Sequence, residues 1–178
     1  MKKILSNSKT FYVLLLLNFF ISIVVFFISS KAEFPDANSY WYMAEGFKHN
    51  TFSSWYFLPV HTPETLRTWG YPIFIYLCRL IYDAPETVKI IQLLMYFSGI
   101  IISLKLVAHF NKDLIFRNLF LLLLLPNIQI VYYAGQIASE ATSVFGLILF
   151  FYLWYTKKDN WPKYIILGIL SFILFQIR

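Results

Sequence analysis

Charged residues are scarce in this chain. Lys, Arg, Asp and Glu make up 13% of its 178 residues, against about a quarter in a soluble domain. With a hydrophobic share of 59%, that shortage excludes an ordinary soluble fold. Cysteine is nearly absent: Cys78 stands alone, which excludes an intrachain disulfide and leaves the redox compartment unspecified. There is no internal repeat, no low-complexity tract and no Gly-rich phosphate loop. The net charge of +6 is spread over short loops rather than clustered, so it does not point to nucleic acid. What the chain has instead is long apolar runs, the mark of a polytopic α-helical membrane protein.

The first run covers residues 11–28, broken only by Asn18 and Ser22. Ser30-Lys31-Ala32 has the small-x-small form of a signal-peptide cleavage site. The run is longer than a secretory apolar core, however, which favours an uncleaved anchor. Further spans are expected over 86–110, 114–133 (with Pro126 inside) and 139–156. A fifth starts near Tyr164 and falls short of the roughly 20 residues a crossing needs. The expectation is an all-α polytopic transmembrane protein of about five spans, a single membrane domain over 1–178. The short fifth run suggests the N-terminal part of a longer domain.

Cation placement sets the expected orientation. With the N-terminus in the cytoplasm, the inner side holds nine cations (Lys2, Lys3, Lys9, Lys105, Lys112, Arg117, Lys157, Lys158 and Lys163) against Asp113 and Asp159. The outer side holds six cations and seven carboxylates. That bias puts the N-terminus inside the plasma (inner) membrane and residues 31–85 outside.

The external loop is the one sizeable soluble segment. Tyr40, Met43, Ala44 and Phe47 recur at helical spacing, and Asp36, Asn38 or Ser39 can each cap such a helix. A short aromatic helix beside a span lies at headgroup level. Gly70 and Pro72 are then expected to break the chain before a second apolar piece over 73–82. That piece carries Arg79 and is interfacial or re-entrant. Together the two pieces would form a shelf over the bilayer.

At these residues the chain resembles a family. Asp36 and Tyr40 soon after the first span, followed by Arg67-Thr68-Trp69-Gly70-Tyr71-Pro72-Ile73-Phe74, are similar to the opening of GT-C membrane glycosyltransferases. The nearest group is the one resembling dolichyl-phosphate-mannose protein mannosyltransferases. Trp69 replaces the proline that members often carry in the Arg-x-Pro-Gly-Tyr-Pro motif. Ala138-Ser139-Glu140, at the outer start of the fourth expected span, fits the Ser-Glu usual there. The likeness covers the whole chain in hydropathy but only these motifs in residues.

The resemblance implies that Asp36 deprotonates an acceptor hydroxyl or helps bind a divalent metal ion on the donor phosphate; otherwise Asp36 is a helix cap. Arg67 would hold a lipid-linked phosphate through bidentate, charge-assisted hydrogen bonds, or else snorkel to headgroups. Glu140 is favoured by the helix dipole, yet an ionisable group at a membrane helix end also marks a site. His61 has only Glu64 as a near acidic neighbour, which gives no metal spacing. It reads first as loop surface and second as a phosphate or metal contact. Tyr40, Trp41 and Tyr42 form either a sugar-stacking surface or an aromatic belt. Tyr133, Gln136, His49 and His109 receive no role.

The implied activity is transfer of a sugar from a polyprenyl-phosphate donor to a hydroxyl of a lipid, glycan or protein acceptor on the outer face. Membrane lipids are the other partners. The rival reading is a non-enzymatic export or assembly subunit, or an inactive truncated copy.

Overall fold

The computed structural model describes residues 2–31, 36–49 and 68–177, apart from the side chains of Lys2 and Lys3. Among the described residues every regular element is helical. A short α1 (Lys2–Leu5) leads into α2 (Ser8–Ser29). Asn7 caps α2, its side-chain oxygen accepting the Lys9 N–H at 2.9 Å. Next come α3 (Ala37–Gly46), ending in a 3-10 turn (Phe47–His49), and α4 (Gly70–Ile81). The rest is α5 (Pro85–Phe110), α6 (Leu114–Leu124), α7 (Gln129–Ala134), α8 (Ser139–Thr156) and α9 (Trp161–Ile177).

Two helices, α2 and α5, are long and apolar enough to cross a membrane, while α4, α6 and α9 are shorter apolar helices. The run expected as one span over 114–133 is divided into α6 and α7. Pro126 has no N–H, and its ring meets the carbonyl of the preceding turn. The chain therefore turns there, with Asn127 N–H donating to Leu124 O at 3.0 Å. The opposite correction applies at α4. Gly70 and Pro72 open the helix instead of breaking the chain before it. Proline is tolerated in a first turn because its missing N–H would have no helical partner there. In α3 the expected face turns inward: Met43 and Ala44 are buried, and Tyr40 and Phe47 are half-buried.

Polarity is reversed on α2 relative to a helix of a soluble bundle. On α2 the buried positions are Asn18, Ser22, Phe26 and Ser29. Tyr12, Leu16, Phe20 and Phe27, by contrast, are each more than half exposed. Inside, the polar side chains join helices. Asn18 Nδ2 donates to Leu121 O of α6 at 3.1 Å, and Asn118 Nδ2 to Leu5 O at 2.7 Å. Small and polar residues serve this way where surrounding hydrocarbon supplies no drive for burying apolar faces.

Helix α5 runs through the centre, touching α4, α6, α7 and α8, while α2 rests on α6 and α7, and α9 on α8 and α4. Two apolar clusters result. One gathers Phe26, Tyr96, Ile100, Leu104, Leu121 and Val131. The other, at the end of the bundle holding α3 and α4, gathers Ala44, Tyr71, Ile75, Cys78, Val88, Ile137 and Ile177. At that end Lys89 Nζ closes α5 onto α2 by donating to Ser30 O at 2.8 Å. The opposite end carries the Phe110–Tyr155 ring contact and the bond from Asn118 to Leu5.

Candidate functional site

The end of the bundle built from α3, α4 and the α7–α8 turn holds three of the expected site residues. Asp36 occupies the N-cap position of α3 and is half-buried, but its side chain makes no capping hydrogen bond. Capping therefore does not account for this carboxylate. One turn on, the Tyr40 ring stands edge-on to Tyr71 of α4, with centroids 5.0 Å apart and planes at 86°. Ala37, Tyr40 and Trp41 all pack against the cluster that contains Tyr71 and Ile137.

Tyr71 is fully buried and its hydroxyl donates to Gln92 Oε1 of α5 at 2.7 Å. The Gln92 amide donates in turn to Gln136 O at 3.0 Å, with Tyr133 O and Ala138 O at 3.3 and 3.4 Å. One carboxamide thereby ties α4 to the turn that launches α8. Burial holds the Tyr71 hydroxyl well above the ordinary tyrosine range, with smaller upward contributions from Tyr40, Cys78 and Glu140.

Glu140 is the second residue of α8, where the helix dipole favours an anion. Among the described residues its buried Oε2 has no hydrogen-bond partner, and the same holds for Thr142 Oγ1 on the same first turn and, on α6, for Arg117 Nε and Asn118 Oδ1. A buried polar oxygen without a partner costs about 1–3 kcal/mol, so two on one turn signal a place that waits for a ligand or for water. Beside it runs an apolar groove of about 470 Å³ between α4, α5, α8 and α9. Trp69, Gly70 and Thr142 lie along it, each within two residues of Tyr71 or Glu140. Leu149, Leu170 and Ile173 line it further on.

A second polar assembly clamps α3 to α4. The Arg79 guanidinium pairs with Glu45 and also donates to Asp83 Oδ1 at 2.5 Å. It lies 4.1 Å above the Trp41 ring. Lys48 Nζ completes the set, 2.6 Å from Asp83 Oδ2 and 3.4 Å from Glu45 Oε2. Hydrogen bonds from Arg79 and then Lys48 hold the Asp83 carboxyl down at about 2. Every charge here is matched, so the assembly is structural and fixes how α3 presents Asp36 and Tyr40.

Arg67 and His61 lie outside the described residues. The structure brings Tyr40 and Glu140 together around Tyr71, with Asp36 one turn from Tyr40. Among the described residues no three His, Cys, Asp or Glu side chains gather as a metal group, so a divalent ion at Asp36 remains an expectation from the resemblance. Sequence reasoning missed Tyr71 and Gln92 as site-forming residues. The readable signal was Gln92, a carboxamide within an apolar span. No family model, curated protein or solved structure matches this chain.

Proposed function

We propose that this chain is a membrane-embedded glycosyl-transfer protein that takes a polyprenyl-phosphate sugar as donor and a hydroxyl as acceptor. The observation that carries the reading is the partnerless, buried Glu140 oxygen at the head of α8, beside Tyr40 and Tyr71 and at the edge of an apolar groove. A polar mouth on a hydrocarbon-sized groove suits an amphiphile: the chain lies along Leu149, Leu170 and Ile173, and the headgroup meets the carboxylates. The outward-facing apolar side chains of α2 support residence in a bilayer; about five crossings and an outer placement of residues 31–85 are part of the proposal.

In the proposed reaction the acceptor oxygen attacks the anomeric carbon in line with the bond to the phosphate oxygen. The new carbon–oxygen bond forms as the old one breaks, and polyprenyl phosphate leaves with the electron pair. Asp36 accepts the hydroxyl proton as general base. Arg67 neutralises the departing phosphate, and Glu140 orients the sugar through hydroxyl hydrogen bonds.

Membranes carrying the full-length protein, given a lipid-linked sugar and a soluble hydroxyl acceptor, test this. General-base assistance contributes about 10²- to 10⁴-fold, so Asp36→Ala is expected to lower transfer by that factor. Transfer unchanged in Asp36→Ala refutes the role of Asp36. No transfer by the wild-type protein favours the export or assembly reading.

A further inference from the structure

At the opposite end of the molecule, the turn between α8 and α9 encloses a cavity of about 380 Å³. Three lysines line it, Lys157, Lys158 and Lys163, with Leu153, Pro162 and Ile166 supplying an apolar floor. The lysines play two different parts. Lys163 is buried, and its ammonium is fully occupied: it donates to Trp154 O at 2.7 Å, Lys157 O at 3.2 Å and Asp159 Oδ1 at 2.7 Å. It stitches the end of α8 to the start of α9, a cation satisfying helix-terminal carbonyls. The one acidic side chain in the turn, Asp159, is thereby neutralised. Lys157 and Lys158 are exposed, and among the described residues neither ammonium has a carboxylate partner. The cavity therefore offers two uncommitted positive charges on the turn that Lys163 stitches together.

Its surroundings indicate the environment of the ligand. Trp154, Tyr155, Trp161 and Tyr164 flank the same turn and are 47%, 47%, 75% and 51% exposed. Aromatic side chains in such a ring mark the headgroup level of a bilayer. Cations at that level attract anionic lipid by about 1 kcal/mol each, and basic pockets between helix ends hold anionic headgroups. A free phosphate ion would use the lysines but leave Leu153, Pro162 and Ile166 uncovered. A phospholipid uses both surfaces.

We propose that the α8–α9 turn is a binding site for the headgroup of an anionic phospholipid. The phosphate lies between Lys157 and Lys158, and the glycerol and upper acyl chain lie over Leu153, Pro162 and Ile166. The site rests on the bilayer reading but not on glycosyl transfer. It lies at the end of the molecule away from Asp36, Tyr40 and Glu140.

The test places the full chain in phosphatidylcholine nanodiscs containing a minor fraction of brominated phosphatidylglycerol or brominated phosphatidylcholine, and measures tryptophan quenching. Trp154 and Trp161 flank the site, and the other three of the five tryptophans form a background shared by all variants. Wild-type protein is expected to be quenched more by the anionic lipid. At about fivefold per lysine, K157Q/K158Q is expected to reduce that preference roughly 25-fold. K157R/K158R, which keeps the charge, is expected to retain it. Equal quenching by the two lipids in wild type overturns the proposal, as does a preference that survives in K157Q/K158Q with the helical circular dichroism intact. Displacement of the anionic lipid by millimolar inorganic phosphate identifies a free-anion site and also overturns it. Loss of quenching preference with transfer activity retained would leave the proposed function standing.

Discussion

Gly70 and Gly168 are two glycines on adjoining helices whose substitution by alanine should move stability in opposite directions. A Cβ added at Gly70 falls 2.6 Å from the carbonyl carbon and oxygen of Gln176 and 2.8 Å from Ile177 N. These are backbone atoms, so no rotamer change relieves the overlap. The first turn of α4 must move roughly 1 Å away from the end of α9 to restore ordinary contact. Overpacking of this kind costs about 1–3 kcal/mol. At Gly168, in the middle of α9, a Cβ meets nothing within 4 Å. Alanine there removes the flexibility of glycine and gains up to about 1 kcal/mol. For a chain of this size each kcal/mol moves the melting midpoint by about 2–4 °C. Gly70→Ala should therefore melt about 2–12 °C lower and Gly168→Ala about 2–4 °C higher. Cys78 supplies the assay, being the one thiol in the chain and buried in the cluster that α4 forms. A fluorogenic maleimide reports its exposure on heating. A Gly70→Ala midpoint equal to or above wild type, with Gly168→Ala raised as expected, would refute the close approach of α4 and α9.

Four further outcomes are expected. Tyr71→Phe removes the donor to Gln92 Oε1 and leaves a buried acceptor unpaired, which should cost about 1–3 kcal/mol in the same melting assay; a change within 0.5 kcal/mol, about the spread of neutral surface substitutions, refutes that link. Burial pushes the Cys78 thiol up to about 11, so alkylation of the native protein at pH 8 should be slow and become rapid in denaturing detergent; fast native labelling contradicts the buried placement. Asp83 has a folded value near 2, below the ordinary carboxylate value of 3.8. The stability it adds is therefore complete above about pH 4 and lost as pH falls towards 2. Wild type should melt higher than Asp83→Asn at pH 6, and the gap should narrow by pH 2.5 and close only below the folded value; a gap independent of pH refutes the ion pairing with Arg79 and Lys48. Glu140→Gln keeps shape and removes charge, so lipid-linked transfer should fall while the melting midpoint stays level or rises; a lower midpoint with full transfer would make Glu140 structural.

Much of the scaffold was legible because it is local. Long apolar runs named α2 and α5, and the spacing of Tyr40, Met43, Ala44 and Phe47 named the inner face of α3. The misreadings were also local and concern proline. Pro72 and Pro126 look alike in sequence, but one sits in a first turn, where its missing N–H costs nothing. The other sits in the interior of an expected span, where the helix ends. The polar clamps were not legible, because pairing across many residues leaves no spacing to read. Tyr71 meets Gln92 across 21 residues, and Arg79 meets Glu45 across 34. In the sequence Arg79 marks the 73–82 piece as interfacial or re-entrant; in the fold it fastens α4 to α3.

The same long-range pairing explains why the candidate site stands where it does. In a bundle whose outer surface is apolar, side-chain amides and hydroxyls hold helices together only where each donor finds an acceptor. Asn18, Gln92 and Lys163 meet that demand with two or three bonds each. Four buried polar atoms among the described residues lack a partner: Arg117 Nε and Asn118 Oδ1 on α6, and the oxygens of Glu140 and Thr142, which alone share a turn that has the apolar groove beside it. The Gln92 carboxamide holds the turn immediately before them through Tyr133 O, Gln136 O and Ala138 O. The Glu140 and Thr142 oxygens place a cost of a few kcal/mol beside the apolar groove. An incoming polar headgroup would recover that cost, so binding there should be tighter for hydroxyl-bearing amphiphiles than for hydrocarbon of equal length.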